Sequence, residues 1–381
     1  MNILFWGNHY WDSPWFRKQQ FAKRLSDRGH MVFYVEDSDS IIRRKKNDRN
    51  LPFKTTIRKE NDNLYIITPS AIFPFPLNNF TRSLYNLKII NDSKRFLKQL
   101  NISDFIFWFT RPEHGTFLTR LNNIRVFDLC DDIPGYSLLV GNRKRYSKHM
   151  KYLQKSLKFT DVPIVSALKI KEKYQPLTNN EMIVIPNGHS INLANKLQLN
   201  VPEDMLNIKT PIVGFIGTLF KFIDESLLEY IISKRPHYNF VFVGGIEGYF
   251  PIDRLKKYPN VYLLGRKPQK EISSYIYAFD VCINTFKIHD VNDSVNPVKV
   301  YEYLAHKKHV ISTKMYSLMK ENIANYITFA GNYEDFLTKL DEKFKKDLIN
   351  NVPDELLNSY HWDNLFVKLI ERLKMVHNLE L

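Results

Sequence analysis

Long apolar runs are missing from this chain of 381 residues, and cysteine is nearly so, with two. No stretch approaches the ~20 consecutive apolar residues that would span a bilayer. The opening residues, MNILFWGNHYW, have no basic segment and no small-residue cleavage site, so a secretory signal is not expected. Cys130 and Cys282 lie in apolar runs with neither a CxxC neighbour nor a histidine cluster. They read as small core residues; no metal site is expected, and no oxidising compartment is required. Internal repeats and low-complexity tracts are missing too, which argues against a solenoid. What remains is a soluble, cytoplasmic chain, or one attached peripherally to the inner face of a membrane.

Hydrophobic residues make up 44% of the chain and charged residues 25%, enough to build sizeable cores. At ~100–200 residues per domain, two domains are expected. The net charge is +15, and it is not evenly spread. Residues 1–200 hold 32 Lys and Arg against 17 Asp and Glu, whereas residues 201–381 hold 23 of each sign. Two clusters stand out: Arg43, Arg44, Lys45, Lys46 and Arg49, and Arg143, Lys144, Arg145, Lys148 and Lys151. Such patches attract nucleic acid, anionic lipid or a phosphorylated substrate, and they also serve simply to solvate a surface.

Short apolar runs alternate with helical periodicity from end to end, the pattern of parallel α/β architecture. Strands are predicted at 3–6, 31–35, 64–68, 104–109, 126–129, 162–165 and 182–186 in the first half. Helices are predicted at 17–28, 80–100 and 143–159. The polar, basic stretch 38–59 has no period and reads as a long loop. A polar segment at 187–209 reads as a linker. Strands follow at 212–216, 240–243, 261–264, 281–285, 310–312 and 326–329, with helices at 225–234, 269–278, 297–306 and 332–344. The tail 353–381 reads as one or two amphipathic helices. The expected domains are 1–200 and 201–358, with a final helix over 359–381 that can cross back to the first. Two such domains leave a cleft, and ligands of open α/β sheets bind beyond the carboxyl ends of the strands.

After the strand at 281–285 the chain reads FKIHDVNDSVNPVKVYEYLA. Asn296 followed by Pro297 is a helix-start signature, Asn capping free amides and Pro tolerating the first helical position. The amides of Val298 and its neighbours, with the helix dipole, suit a diphosphate. Lys299 adds a full charge, and Glu302 shares its side of the helix, where a carboxylate can accept from both hydroxyls of a ribose. The same letters also fit an ordinary amphipathic helix with a good cap and an i,i+3 ion pair.

The segment NPVKVYEYLAHKKHVIST resembles the donor site of GT-B glycosyltransferases, especially bacterial family 4-like enzymes of capsule, teichuronic acid and exopolysaccharide assembly. VIPNG at 184–188, IVGFIGTL at 212–219, FVFVGG at 240–245 and VYLLGRKPQKEISSYI at 261–276 fall in the order of that family's strand ends. The resemblance implies two Rossmann-like parallel-sheet domains facing a cleft: an acceptor domain first, a nucleotide-sugar domain second. It implies that Glu302 holds the donor ribose and Lys299 the diphosphate. Gly217 and Thr218 would line the donor cleft, Arg266 would sit beside the base or phosphates, and Lys221 would lie near the glycine loop. No cofactor and no metal are implied, and no DxD motif occurs near the site. One departure concerns Ser294, which stands where many retaining members carry a second Glu; retention of configuration is therefore not implied.

In the first half, the strand at 126–129 runs into Asp131 and Asp132 before Pro134–Gly135. By resemblance to membrane-associated inverting GT-B enzymes, Asp131 is the candidate general base and Asp132 the second choice; both also fit a turn or helix cap. His9 is a further candidate base. Gly7 would let the chain pass close to a ligand, and Asn8, Trp11 and Arg111 are candidates for acceptor binding, Arg111 toward a phosphate. The function implied is a hexosyltransferase-like activity. It would move sugar from a UDP-linked donor to a glycan or polyprenyl-linked acceptor of surface polysaccharide, with the basic first domain resting on an anionic membrane. Two other readings are weighed against it. A sugar-nucleotide 2-epimerase would share the nucleotide site but need no acceptor. A basic nucleic-acid-binding protein lacks any recognition motif of the common modules.

Overall fold

The computed structural model describes residues 1–13, 15–37, 54–70, 79–116, 118, 121–191, 193, 199–345 and 349–381. The chain divides into two units, Met1–Ile185 with Phe366–Leu381, and Pro186–Leu365. Each is built around one sheet dominated by parallel pairs, so the α/β expectation holds in both.

In unit 1 the strands are β1 (Asn2–Trp6), β2 (Met31–Val35), β3 (Thr56–Asn61), β4 (Leu64–Thr68), β5 (Ile106–Phe109), β6 (Arg125–Leu129), β7 (Val162–Val165) and β8 (Ile183–Val184). Their order is β3-β4-β2-β1-β5-β6-β7-β8, parallel throughout except for the β3–β4 pair. The central strands are buried on both faces and so read as continuous apolar runs. Aromatic rings dominate this core: Phe109 stacks on Phe127 at 4.5 Å and Phe5 on Trp108 at 5.2 Å.

The predicted loop at 38–59 needs correcting, because its last part is strand β3. The run TIRKEN lies at the sheet edge with most side chains in solvent. An edge strand of that kind needs no apolar alternation and is often charged, so it carries no hydrophobic signal. The basic cluster at 43–49 lies outside the described residues.

Unit 2 contains β9 (Ile212–Ile216), β10 (Asn239–Val243), β11 (Val261–Gly265), β12 (Val281–Asn284), β13 (His309–Thr313) and β14 (Ile327–Ala330). They pair in the order β11-β10-β9-β12-β13-β14, all parallel. The covering helices bury one apolar face each. Glu225–Lys234, capped by Asp224 on the Leu227 amide, buries Leu227, Leu228, Ile231 and Ile232. Each such aliphatic side chain contributes about 1.5–3 kcal/mol. Within β9, Gly214 is dictated by packing: a Cβ there would stand 1.9 Å from the Phe279 ring.

The tail forms two helices, Asp354–Ser359 and Trp362–His377. The second begins in unit 2, where the Trp362 amide donates to the His189 carbonyl at 3.0 Å. From Phe366 onward it belongs to unit 1. There Phe366 meets Phe21 at 6.1 Å and lies under the Arg28 guanidinium at 5.2 Å.

Candidate functional site

Parallel strands bring their carboxyl ends to the same side of a sheet, and in unit 2 three of those ends are laced together. The Gly217 amide donates to the Val243 carbonyl, the Gly244 amide to the Gly265 carbonyl, and the Leu219 amide to the Gly245 carbonyl, each at 2.8 Å. Gly217, Gly244 and Gly265 have φ of +122°, +149° and +71°, values that L side chains resist. A Cβ on Gly244 would also stand 2.0 Å from the Gly217 carbonyl oxygen. The result is a bare backbone platform, flanked by the half-buried Thr218 and by the exposed Arg266, whose guanidinium lies over Gly245. Lys221 stays near the same loop, its ammonium 5.1 Å from the Phe222 ring.

Beside this platform stands the helix Val298–Ala305. Val300, Tyr301, Tyr303 and Leu304 anchor it in the core, and the Tyr303 hydroxyl accepts from the Ile216 amide at 2.7 Å. That bond holds the helix against the end of β9. Lys299 and Glu302, one turn apart, are half-buried on the remaining face. The Lys299 Nζ lies 3.7 Å from the centroid of the Phe215 ring, and a Cβ on Gly217 would come within 3.2 Å of it. No ion pair among the described residues includes Lys299.

Burial lowers the Lys299 pKa to about 7, against the pull of Glu302. Burial likewise raises Glu302 to about 7, against Lys299 and a hydrogen bond with Gln269. Two groups of opposite sign thus sit where small changes of environment decide their charge. Such an arrangement can neutralise an anion at the helix start while offering a carboxylate acceptor one turn deeper.

Asn296 does not cap this helix, and Pro297 is the cap residue rather than the first helical one. The Asn296 side chain turns to the unit's first residues. Its Oδ1 accepts from the Asn187 amide at 2.8 Å and its Nδ2 donates to the Tyr301 hydroxyl at 2.8 Å, while the Asn187 side chain bonds the Asn296 carbonyl at 2.6 Å. The helix start is therefore left without a side chain over its amides. Ser294 is buried, and its hydroxyl has no partner among the described residues.

In unit 1 the carboxyl ends of β1, β5 and β6 are adjacent. Asp132 is buried and fully engaged: it caps the helix Ile133–Leu139 on the Gly135 amide at 2.8 Å and accepts from Lys173 at 2.5 Å and from the Tyr174 hydroxyl. Asp131 is exposed and accepts one bond, from the Tyr136 hydroxyl at 2.9 Å. His9 is held neutral, its pKa lowered to about 3 by burial and by the charges of Lys18 and Arg111. Its Nδ1 lies 2.7 Å from the Asn8 carbonyl.

Asn8 itself has φ of +55° and donates to Thr110 Oγ1 at 3.3 Å, tying the ends of β1 and β5 together. Trp11 is only 3% exposed, wedged against Trp15 and Tyr34, so its face is taken by protein. The close approach at Gly7 is also internal: a Cβ there would meet the Tyr34 ring at 2.2 Å. Arg111, directly after β5, is half-buried. Sequence reasoning passed over Phe215 and Tyr303, which shape the helix-start site, and Lys18 in unit 1. Their letters look like core aromatics and a surface lysine, and only the tertiary fold separates them from that.

Two units, each with a parallel-dominated sheet and covering helices, make up the GT-B fold of glycosyltransferases, and this chain has it. The sucrose-phosphate synthase of Thermosynechococcus elongatus superposes with a TM-score of 0.75 at 12% identity, over 99% of each chain. The α,α-trehalose 6-phosphate synthase of Burkholderia multivorans gives 0.69 at 10% identity, again over 99% of each. A structure described as trehalose-6-phosphate from E. coli bound with UDP-2-fluoro glucose gives 0.64 at 11% identity, covering 97% of this chain and 96% of that one. In sequence, the chain is 25% identical over 171 residues to TuaH of Bacillus subtilis (strain 168), which carries the provisional name of a teichuronic acid biosynthesis glycosyltransferase. That match spans 42% of this chain and 42% of the relative. No family model matches.

Proposed function

We propose that this chain is a glycosyltransferase that takes a sugar from a nucleoside diphosphate sugar, with the donor bound by unit 2. The observation that carries this reading is the pairing of Lys299 and Glu302 beside the glycine platform. Lys299 offsets the diphosphate together with the uncapped helix start at Pro297 and Val298. Glu302 accepts from the ribose hydroxyls. Gly217 and Thr218 line the sugar-diphosphate path, Arg266 and Lys221 lie beside the outer phosphate or base, and Asn296 shapes the loop through Asn187. No metal or other cofactor enters this scheme. The UDP sugar named for the E. coli structure supports a UDP-linked donor.

Unit 1 takes the acceptor, a glycan or polyprenyl-linked intermediate; the provisional name of the Bacillus relative supports surface polysaccharide assembly. Among the candidate bases, Asp131 is the one whose carboxylate is exposed and only singly bonded, so it accepts the acceptor's proton. Asp132 is spent on its helix cap, and His9, held far below neutral pH, is a weak base. Arg111 meets an acceptor phosphate; Asn8 and Trp11 support the loop. The basic helix Arg143–Lys158 rests on anionic lipid at the inner face of the membrane, at ~1 kcal/mol per residue near the surface.

The test is thermal stabilisation by nucleoside diphosphates and their sugars, wild type beside Glu302→Ala. One nucleotide family should stabilise the wild type and not the variant. If no nucleotide stabilises the wild type, the donor site is not there.

A further inference from the structure

Lys18 is the second residue of the helix Arg17–Asp27 and is only 9% exposed. Among the described residues it has neither a hydrogen-bond partner nor an ion-pair partner. The stem is buried but the Nζ still touches water, so an anion arriving from solvent can reach the ammonium. Arg111 is half-buried after β5 and likewise has no side-chain partner among the described residues.

The two belong to one cluster. Arg17, next to Lys18, bonds Asp128 in β6, and β6 pairs with β5, past whose end Arg111 lies. The charges that bear on Lys18 come from Arg111, Asp131 and Asp128, and those on His9 from Lys18 and Arg111. Two of the carboxylates nearby are paired with other cations, and the third keeps its charge. Arg17 Nε bonds both Asp128 oxygens at 3.0 Å, Asp132 is capped and paired, and Asp131 takes the Tyr136 hydroxyl. The Cys130 thiol stays neutral, because burial pushes its pKa up. Two cations, one at the helix start and one past the end of β5, thus share Asp131 as the nearby carboxylate without an ion pair among the described residues, and an excess positive charge remains. A phosphate supplies the missing charge, and its oxygens suit both an ammonium and a guanidinium fork.

We propose that Lys18 and Arg111 form an anion subsite in unit 1 that holds the phosphate or diphosphate group of the acceptor. Only the word acceptor rests on the glycosyl-transfer reading; anion binding by Lys18 stands or falls separately. Because Lys18 is so enclosed, the group must come on a slender substrate rather than as a headgroup packed in a bilayer.

The experiment is isothermal titration of the full chain with inorganic phosphate and pyrophosphate in a Lys299→Met background, which silences the other anion site. This background should still bind both anions. Adding Lys18→Met should weaken binding at least about tenfold, the loss expected for a charge-assisted pair, and adding Lys18→Arg should restore most of it. Unchanged affinity in Lys18→Met, or no binding in the Lys299→Met background, overturns the proposal. Should Lys18→Met fail to fold, Arg111→Met decides: it must weaken binding to a comparable degree, and unchanged affinity overturns the subsite. Phosphatidylglycerol vesicles added as competitor should leave the titration unaltered; competition would make this a lipid headgroup site and overturn the acceptor assignment. Phosphate binding through Lys18 in a chain that no sugar nucleotide stabilises would keep the subsite and remove the transfer reaction.

Discussion

Lys18 and Lys299 hold the same local position in different units. Each is the second residue of a helix at the carboxyl side of a parallel sheet, and each lacks an ion pair among the described residues. Their surroundings differ in kind. Lys299 faces glycine backbone and an uncapped helix start, with open φ values at Gly217, Gly244 and Gly265. Lys18 is only 9% exposed, next to an Arg17 that is bound to Asp128. A backbone surface free of side chains leaves room for an extended diphosphate along its length, whereas a largely buried cation leaves room only for the end of a group. On the two proposals above, the same residue in the same helical position would serve two different ligands.

The strongest way to break this comparison is to spoil the platform. Gly244→Ala adds a methyl 2.0 Å from the Gly217 carbonyl at a φ of +149°. It should cost about 2–4 kcal/mol of stability and abolish nucleotide stabilisation while leaving the phosphate titration of unit 1 unaltered. Denaturant unfolding and calorimetry of the same preparation would show both. Next in size, Lys299→Met should weaken nucleoside diphosphate binding by about a hundredfold, the loss of one buried charge-assisted contact. Nucleoside binding should hardly change, and equal losses for both would move Lys299 away from the phosphates.

Titration sharpens the contrast further. A bound diphosphate favours the ammonium and raises the Lys299 pKa above its free value of about 7. Binding then takes up a proton above that pH, so affinity should fall as pH rises beyond about 7, by up to about tenfold per unit. Below about 7, Glu302 protonates and loses an acceptor, so affinity falls again. Lys299→Met should flatten the alkaline limb and Glu302→Gln the acid one. A profile unchanged in either variant would disconnect that residue from the ligand.

The smallest effects separate the two aspartates of unit 1. Asp132→Asn should cost about 1–3 kcal/mol through its cap and buried partners. Asp131→Asn should leave stability within about 0.5 kcal/mol and yet abolish transfer if Asp131 is the base. Near-normal turnover by Asp131→Asn would send the search for the base elsewhere.

The sheets were legible in the sequence because their central strands are buried on both faces and read as unbroken apolar runs; β2, β4, β7 and β9 fall where their letters put them. The helix with Lys299 and Glu302 was legible for a different reason, since its short motif follows a strand end. What the letters hid was tertiary in origin. Asn296 looks like a cap in NPVK, but its amide is claimed by Asn187, more than a hundred residues away in sequence. Trp11 and Gly7 look exposed at a strand end, and Tyr34 covers both. Strand β3 is polar because it is an edge. Lys18 lies in a run of basic and polar letters that normally marks a solvated helix face.

The helix Trp362–His377 has a consequence for the order in which the protein is made. Phe366 and the residues after it complete unit 1, but they leave the ribosome only after all of unit 2, residues 186–365, has been synthesised. At about 5–20 residues per second, the Phe21 surface waits on the order of ten seconds or more for its partner. During that interval unit 2 can fold around its own sheet while unit 1 keeps an aromatic face open, and this is the period in which a chaperone has something to hold.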